Sequence, residues 1–189
     1  MTSPDARPVV LKVGGSLLSR ADWPSLLVPL MAACGPGACC LVVGGGAVVE
    51  GLRTFDRALP HSPRLMHDLA IDAMRLTARL VAAGVGVPIA AAPPDAGVVV
   101  LDVPAWLAVG TRAEALPVGW QVTSDAIAAC VAVEHDCRLL LAKSVPPPPC
   151  PGDVEQLVSL SRAGWVDGHF PVAAGPLTTI EWAAPDDVA

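Results

Sequence analysis

Apolar residues fall along this chain in two rhythms. Short unbroken runs, such as Val9-Val10-Leu11 and Cys39-Cys40-Leu41-Val42-Val43, alternate with longer stretches where they recur every three or four positions. Unbroken runs bounded by turn residues predict strands buried on both faces, and the slower rhythm predicts helices. Strands are expected at 8–13, 39–43, 87–91, 97–101 and 137–143, with a late one near 177–182. Helices are expected at 24–34, 46–58, 63–83, 124–134 and 152–162. In the third of these, Leu65, Leu69, Met74, Leu76 and Leu80 keep near-helical spacing, with Arg75 and Arg79 on another flank. Pro24 suits a first helical turn, and Thr123-Ser124-Asp125 supplies a cap. Strands alternating with helices predict an α/β fold, a three-layer α/β/α sandwich around a mainly parallel sheet.

With 189 residues and no internal repeat, the chain reads as a single domain spanning 1–189. It is 53% hydrophobic and only 16% charged. Even so, no apolar run reaches the roughly 20 residues that span a bilayer, and the first eight residues lack a signal-peptide hydrophobic region. A soluble, cytoplasmic protein with no membrane partner is expected. A net charge of −6 without a basic cluster argues against nucleic acid as a partner. The six cysteines (34, 39, 40, 130, 137, 150) have neither paired CxxC motifs nor zinc-ligand spacing. They are expected to serve as small buried hydrophobes. Pro146–Pro149 reads as a short polyproline spacer.

The chemistry concentrates at strand ends, where ligands sit in parallel α/β sheets. Val9–Val13 carries Lys12 and opens into Gly14, Gly15 and Ser16; Cys39–Val43 opens into Gly44, Gly45 and Gly46; Lys143 ends a third strand. Glycine lets backbone amides approach phosphate oxygens, and a following helix start adds partial positive charge. Duller readings stand beside these. Lys12 and Lys143 also suit structural lysines at strand ends, Asp125 suits helix capping, and the glycines suit close helix–strand packing. Neither glycine cluster spells G-x-G-x-x-G, which disfavours a dinucleotide binder.

Four strings in order, Lys-Val-Gly-Gly-Ser at 12–16, Val-Gly-Gly-Gly at 43–46, Thr-Ser-Asp at 123–125 and Leu-Leu-Leu-Ala-Lys-Ser at 139–144, together resemble the amino acid kinase family. That family includes the aspartate, acetylglutamate, uridylate and isopentenyl phosphate kinases. Three further strings, 67–74, 120–129 and 164–171, are similar to the branch that phosphorylates an aminomethyl-furanmethyl phosphate in methanofuran biosynthesis.

The resemblance implies a carbamate kinase-like fold, with an acceptor side over about 1–120 and a nucleotide side over about 121–189. It implies ATP and Mg2+, a small-molecule acceptor, and assembly as a homo-oligomer. Lys12, Asp125 and Lys143 would be catalytic. Gly14, Gly15, Ser16, Thr123, Ser124 and Ser144 would bind phosphate or nucleotide. Gly44, Gly45 and Gly46 would bind the acceptor with Arg53 and Arg75, whose guanidinium forks suit phosphate. His67, Asp68 and Asp72 are weighed as a metal cluster and set aside, since carboxylates four apart are common on helices; no direct metal ligand is assigned. One departure stands out: Ser144-Val145 leads straight into four prolines, so the nucleotide lobe is expected to be shortened. A non-catalytic metabolite-binding or regulatory protein on the same fold is the alternative.

Overall fold

The structure, a computed structural model, describes residues 7–111, 116–144 and 154–184. Six strands form one sheet: β1 (Val9–Val13), β2 (Cys39–Val43), β3 (Ile89–Ala90), β4 (Val98–Leu101), β5 (Arg138–Ala142) and β6 (Ile180–Ala183). Their order across the sheet is β3-β4-β2-β1-β5-β6, and every neighbouring pair is parallel. Parallel pairing needs a crossover between strands, and helices supply it on both faces. They are α1 (Trp23–Ala33), α2 (Gly46–Ala58), α3 (Pro63–Val85), α4 (Val103–Leu107), α5 (Ser124–Glu134), α6 (Val154–Arg162) and α7 (Phe170–Ala173). The result is a three-layer α/β/α sandwich.

Sheet pleating sorts side chains onto the two faces. Val9, Leu11 and Val13 join Leu27 and Leu30 of α1 and Val81 of α3 in one core. Val10 joins Leu139, Leu141 and the α5 residues Ala126 and Ile127 in the other. Alternation puts Lys12 on the face of Val10, under α5, and that placement is what makes a site possible. The chain winds outward on both sides of β1, so β2 and β5 flank it and the carboxyl end of β1 is the switch point where ligands sit in such sheets.

The elements form close to where the pattern puts them, with differences in the face α3 buries and in the shortest elements. The helix at α3 is capped by Ser62, whose Oγ accepts from the Leu65 amide at 3.2 Å, and is closed by Gly86 in a left-handed conformation (φ +71°). Its buried face is Met66, Ala73, Met74, Ala78 and Val81; Leu65, Leu69, Leu76 and Leu80 point outward. Small alanines let the helix lie close to the sheet, and the larger leucines fall on the opposite side. Two short helices, α4 and α7, and a 3-10 turn at Leu17–Ser19 lack a readable period because each spans barely a turn. Trp106 of α4 is nonetheless fully buried in the α5-side core. No described helix is long and apolar enough to cross a membrane. The polyproline expectation at 146–149 lies outside the described residues.

Candidate functional site

A cleft of about 490 Å3 opens at the carboxyl ends of the strands, walled by the glycine turns, α2, α3 and the start of α5. Its floor is backbone. A Cβ on Gly15 would lie 2.4 Å from both the amide nitrogen and the Cα of Gly46, so the two turns meet main chain to main chain. Gly46 also has φ +53°, where a side chain is strained. The Gly14 amide donates to Ala142 O at 3.2 Å and the Gly44 amide to Val13 O at 3.0 Å, both extending the sheet. The Gly15 and Gly45 amides make no backbone hydrogen bond among the described residues. The first turn of α2 has no side-chain cap, so it presents unpaired N–H groups to the cleft.

Behind this floor, outside the residues that line the cleft, lies a buried ion triad, with Lys12 Nζ 3.7 Å from where a Cβ on Gly14 would stand. Lys12 Nζ stands 2.6 Å from Asp125 Oδ1, and Lys143 Nζ stands 3.0 Å from Oδ1 and 2.9 Å from Oδ2 of the same carboxylate. Lys12 and Asp125 are 4% and 5% exposed, which is rare for charged residues unless they are paired. Two ammonium groups against one carboxylate leave the cluster one positive charge in excess. Burial pushes the Asp125 carboxyl up, but the Lys12 and Lys143 charges together outweigh it and hold it below the ordinary carboxylate value. Burial, reinforced by the Lys12 ammonium, lowers Lys143 to about 8 against the opposing pull of Asp125. A dry site with surplus positive charge suits an anion, whose arrival relieves the lysine repulsion.

Sequence reasoning assigned no role to Asp167, yet it sets the position of Asp125. Its Oδ2 accepts from the Thr123 amide (2.9 Å), the Thr123 hydroxyl (2.8 Å) and the Ala126 amide (2.9 Å). Its Oδ1 accepts from the amides of His169 (3.0 Å) and Phe170 (2.8 Å). One carboxylate thereby caps α5 and α7 at once and locks the turn that carries Asp125. The available signal was Asp-x-x-Phe-Pro, an acid just ahead of a proline-initiated helix.

The remaining expected residues divide. Ser16, Thr123 and Ser124 line the cleft, and so does Arg53 from α2. The Arg53 guanidinium stacks 4.5 Å over the Trp120 ring, while Trp120 Nε1 donates to Asp56 at 2.9 Å. Arg75 lies apart: its Nε bonds Asp102 Oδ1 at 3.0 Å, the same carboxylate that caps α4. Ser144 is exposed just past β5. His67 lines the cleft, its Nδ1 facing the Gly119 amide at 3.4 Å.

No protein-family model matches the chain, and no curated protein matches it significantly. Solved structures do. A uridylate kinase from Archaeoglobus fulgidus superposes with a TM-score of 0.64 at 22% identity, covering 95% of this chain and 93% of that one. A UMP kinase from Bacillus anthracis gives 0.66 at 12% identity over 95% and 88%. An aspartate kinase from Synechocystis gives 0.63 at 14% identity over 94% of this chain and 39% of that one. The fold is that of the amino acid kinases. The stretch at which that fold's nucleotide lobe was expected to be shortened, after Ser144, lies outside the described residues.

The site does not fit a protein-held magnesium ion. Asp125 is the carboxylate of the triad, and both its oxygens are already occupied by ammonium groups. Among the described residues no three acidic, histidine or cysteine side chains cluster as a metal would require.

Two outcomes follow from this geometry. Asp167→Ala strands the Thr123 and Ala126 amides at the foot of α5, while the His169 and Phe170 amides keep backbone acceptors, and should cost about 1–3 kcal/mol, read by urea unfolding; an unchanged midpoint would refute the capping role. Sulfate, which stays fully ionised in this range, should bind more weakly as pH rises through about 8, because Lys143 then loses its charge. The decline should approach tenfold per pH unit beyond that point. Lys143→Arg, permanently charged, should flatten it in calorimetric titrations.

Proposed function

We propose that this protein is an ATP-dependent phosphotransferase that moves the γ-phosphoryl group of ATP onto a small phosphate monoester. The observation that carries the reading is the Lys12–Asp125–Lys143 triad, with its surplus positive charge, buried against the Gly14 turn next to the residues that line the cleft. The similar solved structures include two uridylate kinases, and uridylate is itself a phosphate monoester.

Phosphoryl transfer spreads negative charge over the oxygens of the migrating group, so catalysis is mainly positioning and electrostatic stabilisation. In this reading the acceptor phosphate is gripped by the first-turn amides of α2 and by Arg53, pre-oriented on Trp120. Lys12 neutralises the migrating group from the acceptor side and Lys143 from the nucleotide side. Asp125 holds both ammonium groups at fixed positions and takes no proton. None need be taken, because the oxygen of a phosphate monoester is already ionised near neutral pH. Magnesium enters bound to the phosphates of ATP, as part of the substrate.

The finer reading is an acceptor of the aminomethyl-furanmethyl phosphate kind. A cleft of about 490 Å3 has room for a small ring compound. Trp120, Ile71 and Val122 are apolar residues of its lining, and Glu50, which pairs with Arg53 at 3.5 Å, is the lining carboxylate an ammonium substituent would meet. The test is turnover of ATP and magnesium with a panel of phosphate monoesters that includes this compound. Lys12→Ala should lower kcat by about 10²–10³-fold, the usual cost of removing one preorganised charge-stabilising donor. Failure on every acceptor together with no ATP binding would overturn the kinase reading. Monoester binding without ATP binding would instead indicate the non-catalytic alternative.

We further infer that two copies associate through α3. Leu65, Leu69, Leu76 and Leu80 are 45%, 37%, 55% and 53% exposed, an unusual concentration of apolar surface on one helix. Their spacing of four, seven and four reads the same in both directions. An antiparallel two-fold crossing therefore sets Leu65 against Leu80 and Leu69 against Leu76 of the second copy. The same operation brings Asp72 toward the half that carries Arg75 and Arg79, while Asp68 and Arg75 are already paired within the chain with Arg64 and Asp102. Leu69→Glu with Leu76→Glu should yield monomers by light scattering where the parent chain gives dimers. A monomeric parent would dispose of the inference.

A further inference from the structure

Far from the cleft, at the amino edge of the sheet, two thiols touch. Cys34 caps the end of α1 and Cys39 begins β2, with Gly35-Pro36-Gly37-Ala38 turning the chain between them. Cys39 Sγ donates to Cys34 Sγ at 3.1 Å, and Cys34 Sγ also lies 3.5 Å from Leu30 O. Both side chains are buried in the core shared with α1. Cys40, the next residue, points to the opposite face by strand alternation and sits in the other core with Cys137.

We propose that Cys34 and Cys39 are an intramolecular disulfide site, closed by a small peroxide. A disulfide needs the sulfurs drawn to about 2.05 Å, and the pair needs only a short approach from 3.1 Å. The intervening turn can supply it, since two of its four residues are glycine and Gly35 already occupies φ +85°. The surroundings divide the two roles. The Cys39 hydrogen bond, helped by the Arg138 guanidinium, favours the thiolate at Cys34 and lowers its pKa. Arg138 Nη2 itself donates to the Cys34 carbonyl at 3.3 Å. The same sulfur–sulfur hydrogen bond, with burial, raises Cys39 far above an ordinary thiol.

Cys34 is therefore the attacking sulfur. Its thiolate displaces hydroxide from the peroxide as the O–O bond breaks, giving a sulfenic acid and, with the thiol proton, one water. The Cys39 sulfur then attacks the Cys34 sulfur, the S–O bond breaks, and a second water leaves with the Cys39 proton. Two thiols lose two electrons and one peroxide gains them, so no further reagent is needed. Burial selects the oxidant, because hydrogen peroxide is small enough to enter a packed core where bulky disulfides are excluded.

The test needs no knowledge of the enzymatic substrate. The full chain is treated with hydrogen peroxide, quenched with catalase, unfolded in iodoacetamide, digested and weighed. The expected product is a peptide carrying Cys34 and Cys39 without alkylation, lighter than the reduced form by about 2 Da for the two hydrogens lost. Dithiothreitol should restore two alkylation sites. In Cys34→Ser, Cys39 should remain alkylated after the same treatment. Full alkylation of both residues in the oxidised parent chain, or linkage through Cys40 instead, would overturn the proposal.

Discussion

One buried carboxylate holds two ammonium groups together at the strand ends. Asp125 sits between two ammonium groups in a region otherwise built from valine, leucine and alanine, and a charge removed from water there is costly unless compensated. Compensation is incomplete by design of the count: two cations, one anion. The cluster is held by directed polar contacts around Asp125. The ammonium groups take its oxygens, and Asp167 takes the amides of the turn that carries it. Lys143 absorbs the remaining strain by giving up its proton more easily than an exposed lysine. Under the proposed function, an anion delivered beside the cluster would complete it, so binding and electrostatic relief would be the same event.

The parallel sheet is what allows three such groups to converge. Lys12 comes from β1, Lys143 from the residue after β5 and Asp125 from the first turn of α5, and β1 and β5 are direct neighbours with Lys12 paired to Leu141. Pleating sends Lys12 to the α5 face; a one-residue slip of register would send it beneath α1 instead. Hydrophobic burial along Val9, Leu11 and Val13 therefore does more than stabilise the strand. It fixes which side of the sheet the lysine ammonium reaches.

Much of this was legible because local chemistry contradicted local pattern. A lysine inside Val-Val-Leu-Lys-Val is conspicuous, and its neighbours Gly14 and Gly15 mark a strand end that something approaches. Asp125 was visible as a cap, and the carboxylate does sit in a first turn beside a capping threonine. What escaped were relationships set by the fold rather than by the segment. Asp167 reaches residues some forty positions away through backbone amides, which leave no mark in composition. Arg53 and Arg75 look alike as helical arginines near glycine turns. Only the tertiary arrangement puts one on Trp120 at the cleft and the other on Asp102. The leucines of α3 revealed the helix but not its orientation, because both of its sides are apolar and alanine rather than leucine faces the sheet.

The glycine turns tie these strands of argument together. Gly15 and Gly46 touch through their main chains, so their lack of side chains is already required by packing, before any ligand is considered. Packing and binding are not rival explanations here. Bringing the two turns into contact is what draws the foot of α2 against the turn that follows β1. A side chain at either position would wedge the turns apart and move the amides and the ammonium groups out of a common focus. Under the proposed function, the close approach is thus the geometric condition for the electrostatic one: the positive end of a helix and a buried positive cluster would act on the same anion only because nothing larger than hydrogen stands between Gly15 and Gly46.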